Sequence, residues 1–323
     1  MTQGTDAVDH QRHLSAARTY RPLVDVLRLV SAFGILMFHE PATPTLMSHA
    51  GHTGLFCFLL LLPILGLRYN RAQSVREHVN ERAQRLMLPW FVWSAVYFAA
   101  MGLRSLQAHE TLLPDIGSIE FWFAGPSLHL WFLPFAFVSL SLLIISGVPK
   151  LISRHTISFA AFSFATGLVM LALHAQYIGS VNSLPKPLPQ WLLALPSIPL
   201  GVGLAILLKS PNPRSTKPLL WLGAVSCAML VLALAFDGLA SWYYLCAFVV
   251  TTLAYVVTSE KIPFLRKVCT PAFGVYLAGP LFAAAVHIAL PDIHWLITVT
   301  LTFIGAYAAS LLIAQTRFRF LVS

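Results

Sequence analysis

The chain has 323 residues, of which 57% are hydrophobic and only 10% charged, and it carries a net charge of +9. A soluble domain carries roughly 25% charged residues, so a water-soluble globule is excluded, as are a disordered chain, a collagen, a coiled coil and a disulfide scaffold. Most of the chain must face lipid or other apolar helices, and whether the positive charge serves nucleic acid or a membrane face depends on where it sits.

The first 20 residues (MTQGTDAVDHQRHLSAARTY) are polar and lack the apolar core of a cleavable signal. They are expected to form a cytoplasmic tail, with the first span acting as its own insertion signal. A spanning helix needs about 20 mostly apolar residues. Runs of that kind predict ten spans, near 22–40, 51–67, 88–106, 129–148, 156–175, 190–208, 218–236, 240–258, 271–290 and 295–315. The second contains Pro63 and the sixth Pro196 and Pro199, which spans tolerate where neighbours satisfy the freed carbonyls. The loop over 68–87 has helix-supporting spacings such as Glu81–Arg85 and predicts a short interfacial helix. The longest loop on the other side runs over 107–128, and SLPKPLPQW at 183–191 is a proline-rich turn.

The basic residues test this map. With the N-terminus in the cytoplasm, 18 of the 21 Lys and Arg fall on the inner side, Arg104 and Lys186 on the outer side, and Arg28 inside the first span. The outer side holds Glu40, Glu110, Asp115, Glu120, Asp237 and Asp292 instead. The positive-inside rule therefore predicts an N-in, C-in, all-α polytopic membrane protein, one domain over 1–323. The +9 is a collar facing membrane lipid, and a nucleic-acid partner has no support. No internal repeat marks a transporter built from paired halves. Cys57, Cys227, Cys246 and Cys269 are scattered in or beside apolar runs and read as packing residues.

Ionisable groups inside spans are costly and are candidates for function. The first span carries Asp25, Arg28 and His39. Arg28 and His39 are eleven residues apart, close to three turns, so they share a helix face about 16 Å apart in rise. Asp25 lies at i−3 from Arg28 and can pair with it. Glu40 can orient His39 only if the helix ends there, which the following Pro41 favours. Arg82 and Arg85 form a basic pair at an inner span end, suited either to phosphate or to ordinary membrane anchoring. His129 and Trp131 open the fourth span from outside. Trp131 alone reads as an aromatic anchor, and His129 lies near the depth of His39, so the two can converge on one site. His49, His52, His109, His174, His287 and His294 also map to the outer half. No HxxxH or similar spacing occurs, so a metal site is not expected.

Several segments together resemble the membrane acyltransferase family 3, the integral-membrane O-acyltransferases of bacterial surface glycans. They are Arg28, ten residues and His39 within RPLVDVLRLVSAFGILMFHE; GLFCF at 54–58; RAQRLMLPWFVW at 82–93; HLWFLP at 129–134; and FGVYL at 273–277. They occur in the family's order over most of the chain, and about ten spans is the family's architecture. The HLWFLP segment and the lack of an attached soluble domain are most similar to the stand-alone sugar O-acetylase branch. Two positions depart from the family: Leu60 and Leu61 stand where a Ser-Gly pair is common, and Ala278 and Gly279 follow Leu277 where a histidine is common.

The resemblance implies a bacterial inner-membrane enzyme that takes an acyl group, most simply acetyl, from cytoplasmic acyl-CoA to a hydroxyl of a surface or exported glycan. It implies His39 as general base or as carrier of a transient acyl-imidazole, with Glu40 or Asp25 setting its tautomer. Arg28 holds the donor or the charged wall, Arg82 and Arg85 bind the coenzyme's phosphates, and His129 and Trp131 contact the substrate. The alternatives are an exporter of a glycan or lipid intermediate, a non-catalytic partner of a glycan-assembly complex, and an acyltransferase with a lipid or small-molecule acceptor.

Overall fold

The computed structural model describes residues 21–67, 74–108, 116–154, 157–208, 217–236, 239–257 and 263–322. The expected tail 1–20, the start of the inner loop at 68–73 and part of the outer loop at 109–115 lie outside the described residues. So do Glu110, Asp115, Asp237, Lys209, Arg214 and Lys261 of the charge map.

Ten principal helices follow one another: α1 Pro22–His39, α2 Thr45–Gly66, α3 Leu88–Ala108, α4 Phe132–Ile145, α5 Ile157–Gln176, α6 Ser197–Leu208, α7 Lys217–Ala235, α8 Leu239–Val256, α9 Ala272–Ala289 and α10 Trp295–Ala314. Among the described residues there is no strand. Nine helical runs there are long and apolar enough to cross a membrane, and the tenth, apolar over Leu219–Ala235 in α7, is shorter. The protein is thus an all-α polytopic membrane protein, as the apolar runs predict. Large apolar side chains such as Val30, Leu142, Val231, Leu234, Ile304 and Leu312 point outward. In water this would be an aggregating surface, whereas lipid tails solvate it.

Several elements depart from the predicted bounds, each for a local reason. The interfacial helix forms as Val75–Arg82, started by a capping box between Ser74 and Glu77, and Glu81 pairs with Arg85 at 3.0 Å. It does not stop at the membrane surface but runs into α3 through a π-helical turn, Ala83–Met87. Pro89 lacks an N–H, and the Leu88 N–H bonds back to the Ala83 carbonyl, so the turn widens by one residue. The sixth span is broken into Leu188–Ala194 and α6, with Pro196 at the join. The fourth opens with a 3-10 turn, Leu128–Trp131, and ends where Gly147 takes a φ of +76°.

Without a hydrophobic force between helices in lipid, close backbone packing holds the bundle together. α2 is its axis, touching α1, α6, α8 and α4. Gly34 packs on Gly51, and Gly54 packs on Ser31, so residue numbers rise along α1 as they fall along α2 and the two run antiparallel. A Cβ at Gly54 would come 2.7 Å from the Ser31 carbonyl oxygen. Gly201 of α6 meets the Leu60 carbonyl and the Pro63 ring of α2 in the same way. Leu60 and Leu61 are fully buried here, so this pair of departures from the family pattern is a helix-packing seam.

Candidate functional site

One cavity of about 750 Å³ stands out among the described residues. It lies where the C-terminal ends of α1 and α9 meet the start of α4, with α2 and α10 completing the wall. From α9 it takes Tyr276, Pro280, Ala283 and His287, one helix face covering eleven residues or about 16 Å of rise. Its deep part is apolar and aromatic, with Ile35, Leu55, Trp131 and Tyr276. Its other end holds His39, Glu40, His52 and His287. An apolar pocket with a few convergent polar groups is the form small-molecule sites take.

Four of the residues singled out in the sequence line this cavity: His39, Glu40, His129 and Trp131. His39 is the last residue of α1, and its ring is exposed to the cavity. Among the described residues its only ring contact is the edge of Phe38, with centroids 4.9 Å apart, and neither of its nitrogens has a hydrogen-bond partner. The helix does end there, with Glu40 in extended backbone. Glu40 nevertheless does not orient His39. Its Oε2 pairs with His287 Nε2 at 2.9 Å and its Oε1 accepts from the Ala42 N–H at 3.2 Å. Once the backbone leaves the helix, the side chain is turned toward α9.

His129 is buried and fully engaged. Ser127 Oγ lies 2.8 Å from its Nδ1, and its Nε2 lies 3.4 Å from the Leu277 carbonyl. The Tyr276 hydroxyl donates to the His129 carbonyl, and the Tyr97 hydroxyl donates to the Leu277 carbonyl at 2.7 Å. Pro280 has no N–H to give the Tyr276 carbonyl one turn back, and the two side-chain contacts of this turn, from Tyr97 and His129, fall on the next carbonyl, that of Leu277. The knot of Tyr97, His129 and Tyr276 underlies the cavity floor, and His129 and Tyr276 line it, so His129 holds the floor together through its hydrogen bonds. Trp131 is buried against Phe132 and Phe135 and is no lipid-interface anchor.

Arg28, Arg82 and Arg85 do not line the cavity. Arg28 pairs with Asp25 at 3.6 Å, as their spacing predicts, but lies about three turns down α1 from His39. A shared helix face therefore does not bring it to the same site. Arg85 is exposed and paired with Glu81. Tyr97 of the floor is twelve residues beyond Arg85, about 18 Å along the rod.

The cavity also gathers several residues to which no motif or spacing assigns a role. His52 stacks on Phe38 with centroids 3.9 Å apart. Thr302 Oγ1 and Gln190 Oε1 are buried without a partner among the described residues, and both side chains line the wall. His287 is the most consequential, and its only sequence signal is its position near the end of a span. Gly279 lies against the end of the Leu36 side chain, which would have to shift for a Cβ there, whereas His287 two turns further on reaches the cavity. Among the described residues no group of three or more His, Cys, Asp or Glu is placed to hold a metal ion.

Comparison with protein-family profiles, with curated proteins and with solved structures found no match.

Proposed function

We propose that the protein is an inner-membrane O-acyltransferase. It moves an acyl group, most simply acetyl, from cytoplasmic acyl-CoA to a hydroxyl of a sugar in a surface or exported glycan. The observation that carries this reading is His39: an imidazole with neither nitrogen hydrogen-bonded among the described residues, at the polar end of a deep and otherwise apolar cavity. Such a group can take the hydroxyl proton as the oxygen attacks the thioester carbonyl. The carbon–sulfur bond then breaks, and the thiolate recovers a proton from the imidazolium, leaving His39 neutral. The apolar walls keep water, the competing acceptor, from the thioester. The five segments of family resemblance support the same reading: His39, Trp131 and Tyr276 belong to three of them and line one cavity, and Tyr276 hydrogen-bonds to the His129 backbone.

The deciding experiment uses the purified protein in lipid nanodiscs with labelled acetyl-CoA and a glycan-bearing membrane fraction. Label in the glycan together with release of free thiol is the expected result. An exporter would show neither.

Two further outcomes follow from the proposed orientation. Cysteines placed at Glu120 and Lys186 are expected to react with an impermeant thiol reagent from outside intact cells, and one at Arg76 only after lysis. In this reading Arg82 and Arg85 are the candidates for the coenzyme's phosphates, with an arm spanning about 18 Å of helix to the cavity floor. Arg82→Ala combined with Arg85→Ala is expected to raise the KM for acetyl-CoA about tenfold, the loss of one charge-assisted contact. An unchanged KM would move the donor site elsewhere.

A further inference from the structure

We infer that Glu40 and His287 form the acceptor subsite of the cavity, with Glu40 the positioning residue and His287 the group that holds the incoming hydroxyl. The inference rests on the acyl-transfer reading and adds to it a residue that neither the sequence segments nor the family pattern point to.

Three observations carry it. The first is the asymmetry of the pair. Glu40 has only 5% of its side chain exposed, and both of its oxygens are engaged, one by His287 and one by the Ala42 N–H. His287 has 43% of its side chain exposed, and among the described residues only its Nε2 is bonded. A pair serving packing alone would be satisfied at both members. Here the buried carboxylate fixes the ring through Nε2 and leaves Nδ1 for something else, the arrangement in which a carboxylate sets the tautomer and orientation of a working histidine.

The second observation is polarity along the cavity. The α9 face runs from Tyr276 at the apolar floor to His287 at the polar end. A ligand matching this gradient is apolar or thin where it enters past the floor and carries its hydroxyl groups at the His287 end. The donor arm suits the first part and the acceptor the second.

The third is position. Glu40 follows His39 directly in the chain, so a hydroxyl held at His287 lies on the same side of the cavity as the proposed base. Glu40 therefore couples the two histidines mechanically, through the backbone to one and through its carboxylate to the other. His39 acts on the reacting bond while His287 places the oxygen, which is what orientation contributes to a two-substrate reaction.

The test measures transfer from labelled acetyl-CoA to the glycan-bearing membrane fraction, varying each substrate in turn. His287→Ala is expected to raise the apparent KM for the glycan fraction at least tenfold, the usual loss for a hydrogen bond to a well-placed polar group, with the KM for acetyl-CoA unchanged. His287→Asn, whose amide oxygen can stand near the Nδ1 position and accept the same hydrogen bond, is expected to recover most of the loss. Glu40→Gln, which keeps a hydrogen bond to the ring but not the charge, is expected to fall between. Thermal unfolding of each variant in detergent separates misfolding from the effect sought, and if His287→Ala does not fold, the Asn and Gln variants carry the test. A wild-type acceptor KM in folded His287→Ala, or equal losses for donor and acceptor, overturns the inference and leaves the acyl-transfer reading standing. Absence of any transfer or thiol release by the unmodified protein overturns both.

Discussion

His39→Ala is expected to remove glycan acylation, with a fall of about 10²–10⁴-fold in the transfer rate, the range a positioned proton acceptor supplies. The structural cost should be small. His39 ends α1, its ring is exposed to the cavity, and among the described residues its only ring contact is the edge of Phe38. Truncation therefore leaves no buried donor or acceptor stranded, and the protein should still insert and fold. Mass spectrometry of the glycan, alongside the amount of folded protein in the membrane, checks both halves of the statement. Acyl groups retained on the glycan at the wild-type level would remove His39 from the mechanism. The contrast with His129→Ala is informative. That change empties a buried ring site and takes its partner from the Ser127 hydroxyl, while the Leu277 carbonyl keeps Tyr97, so it should lower stability as well as activity.

The largest effect on folding is expected at Gly51. A side chain there would run into the Gly34 carbonyl and come 3.1 Å from the Phe38 backbone nitrogen. Both contacts are main chain on a facing helix, so neither can rotate away. Gly51→Leu must separate α1 from α2, and overpacking of this kind costs about 1–3 kcal/mol or more. Because α2 also carries the contacts to α6 and α8, the loss should spread through the bundle. Size-exclusion profiles and thermal unfolding in detergent should show a much reduced folded fraction. Val30→Phe, the same gain of four carbons on the outward face of α1, is the control and should behave as wild type. Equal stability of the two variants would remove the backbone seam from the account of what holds the bundle together.

The spans are legible in the sequence because lipid imposes a local rule. Every backbone group must be satisfied within its own segment, so an apolar run of sufficient length declares itself without knowledge of its neighbours. The end of α1 at His39 is legible for the same kind of reason, since Pro41 disfavours helix in the residue before it. What escapes is whatever depends on a distant partner. α2 begins at Thr45, six residues before the predicted span, because the polar turn with Ser48, His49 and His52 is supported from outside itself: Tyr243, 194 residues away, meets His49 at 2.6 Å. Glu40 finds His287 across 247 residues, and no spacing on α1 announces it. Arg28 is the converse case: helical spacing places it on a face with His39 and beside Asp25, yet it lies about three turns from His39 and is not among the residues that line the cavity.

The cavity floor has a consequence for the order in which the chain can assemble. Tyr97 and His129 come from the first half of the sequence, while Tyr276 and the Leu277 carbonyl come from α9. The hairpin of α1 and α2 joins neighbours in the chain and can close as soon as both have left the insertion machinery. The floor cannot. Until the ninth helix arrives, the Tyr97 hydroxyl and the His129 ring face a membrane interior with no Leu277 carbonyl to meet them. A chain halted before residue 272 would hold His39 in place above an unfinished pocket, so the chemistry proposed here becomes available only near the close of synthesis.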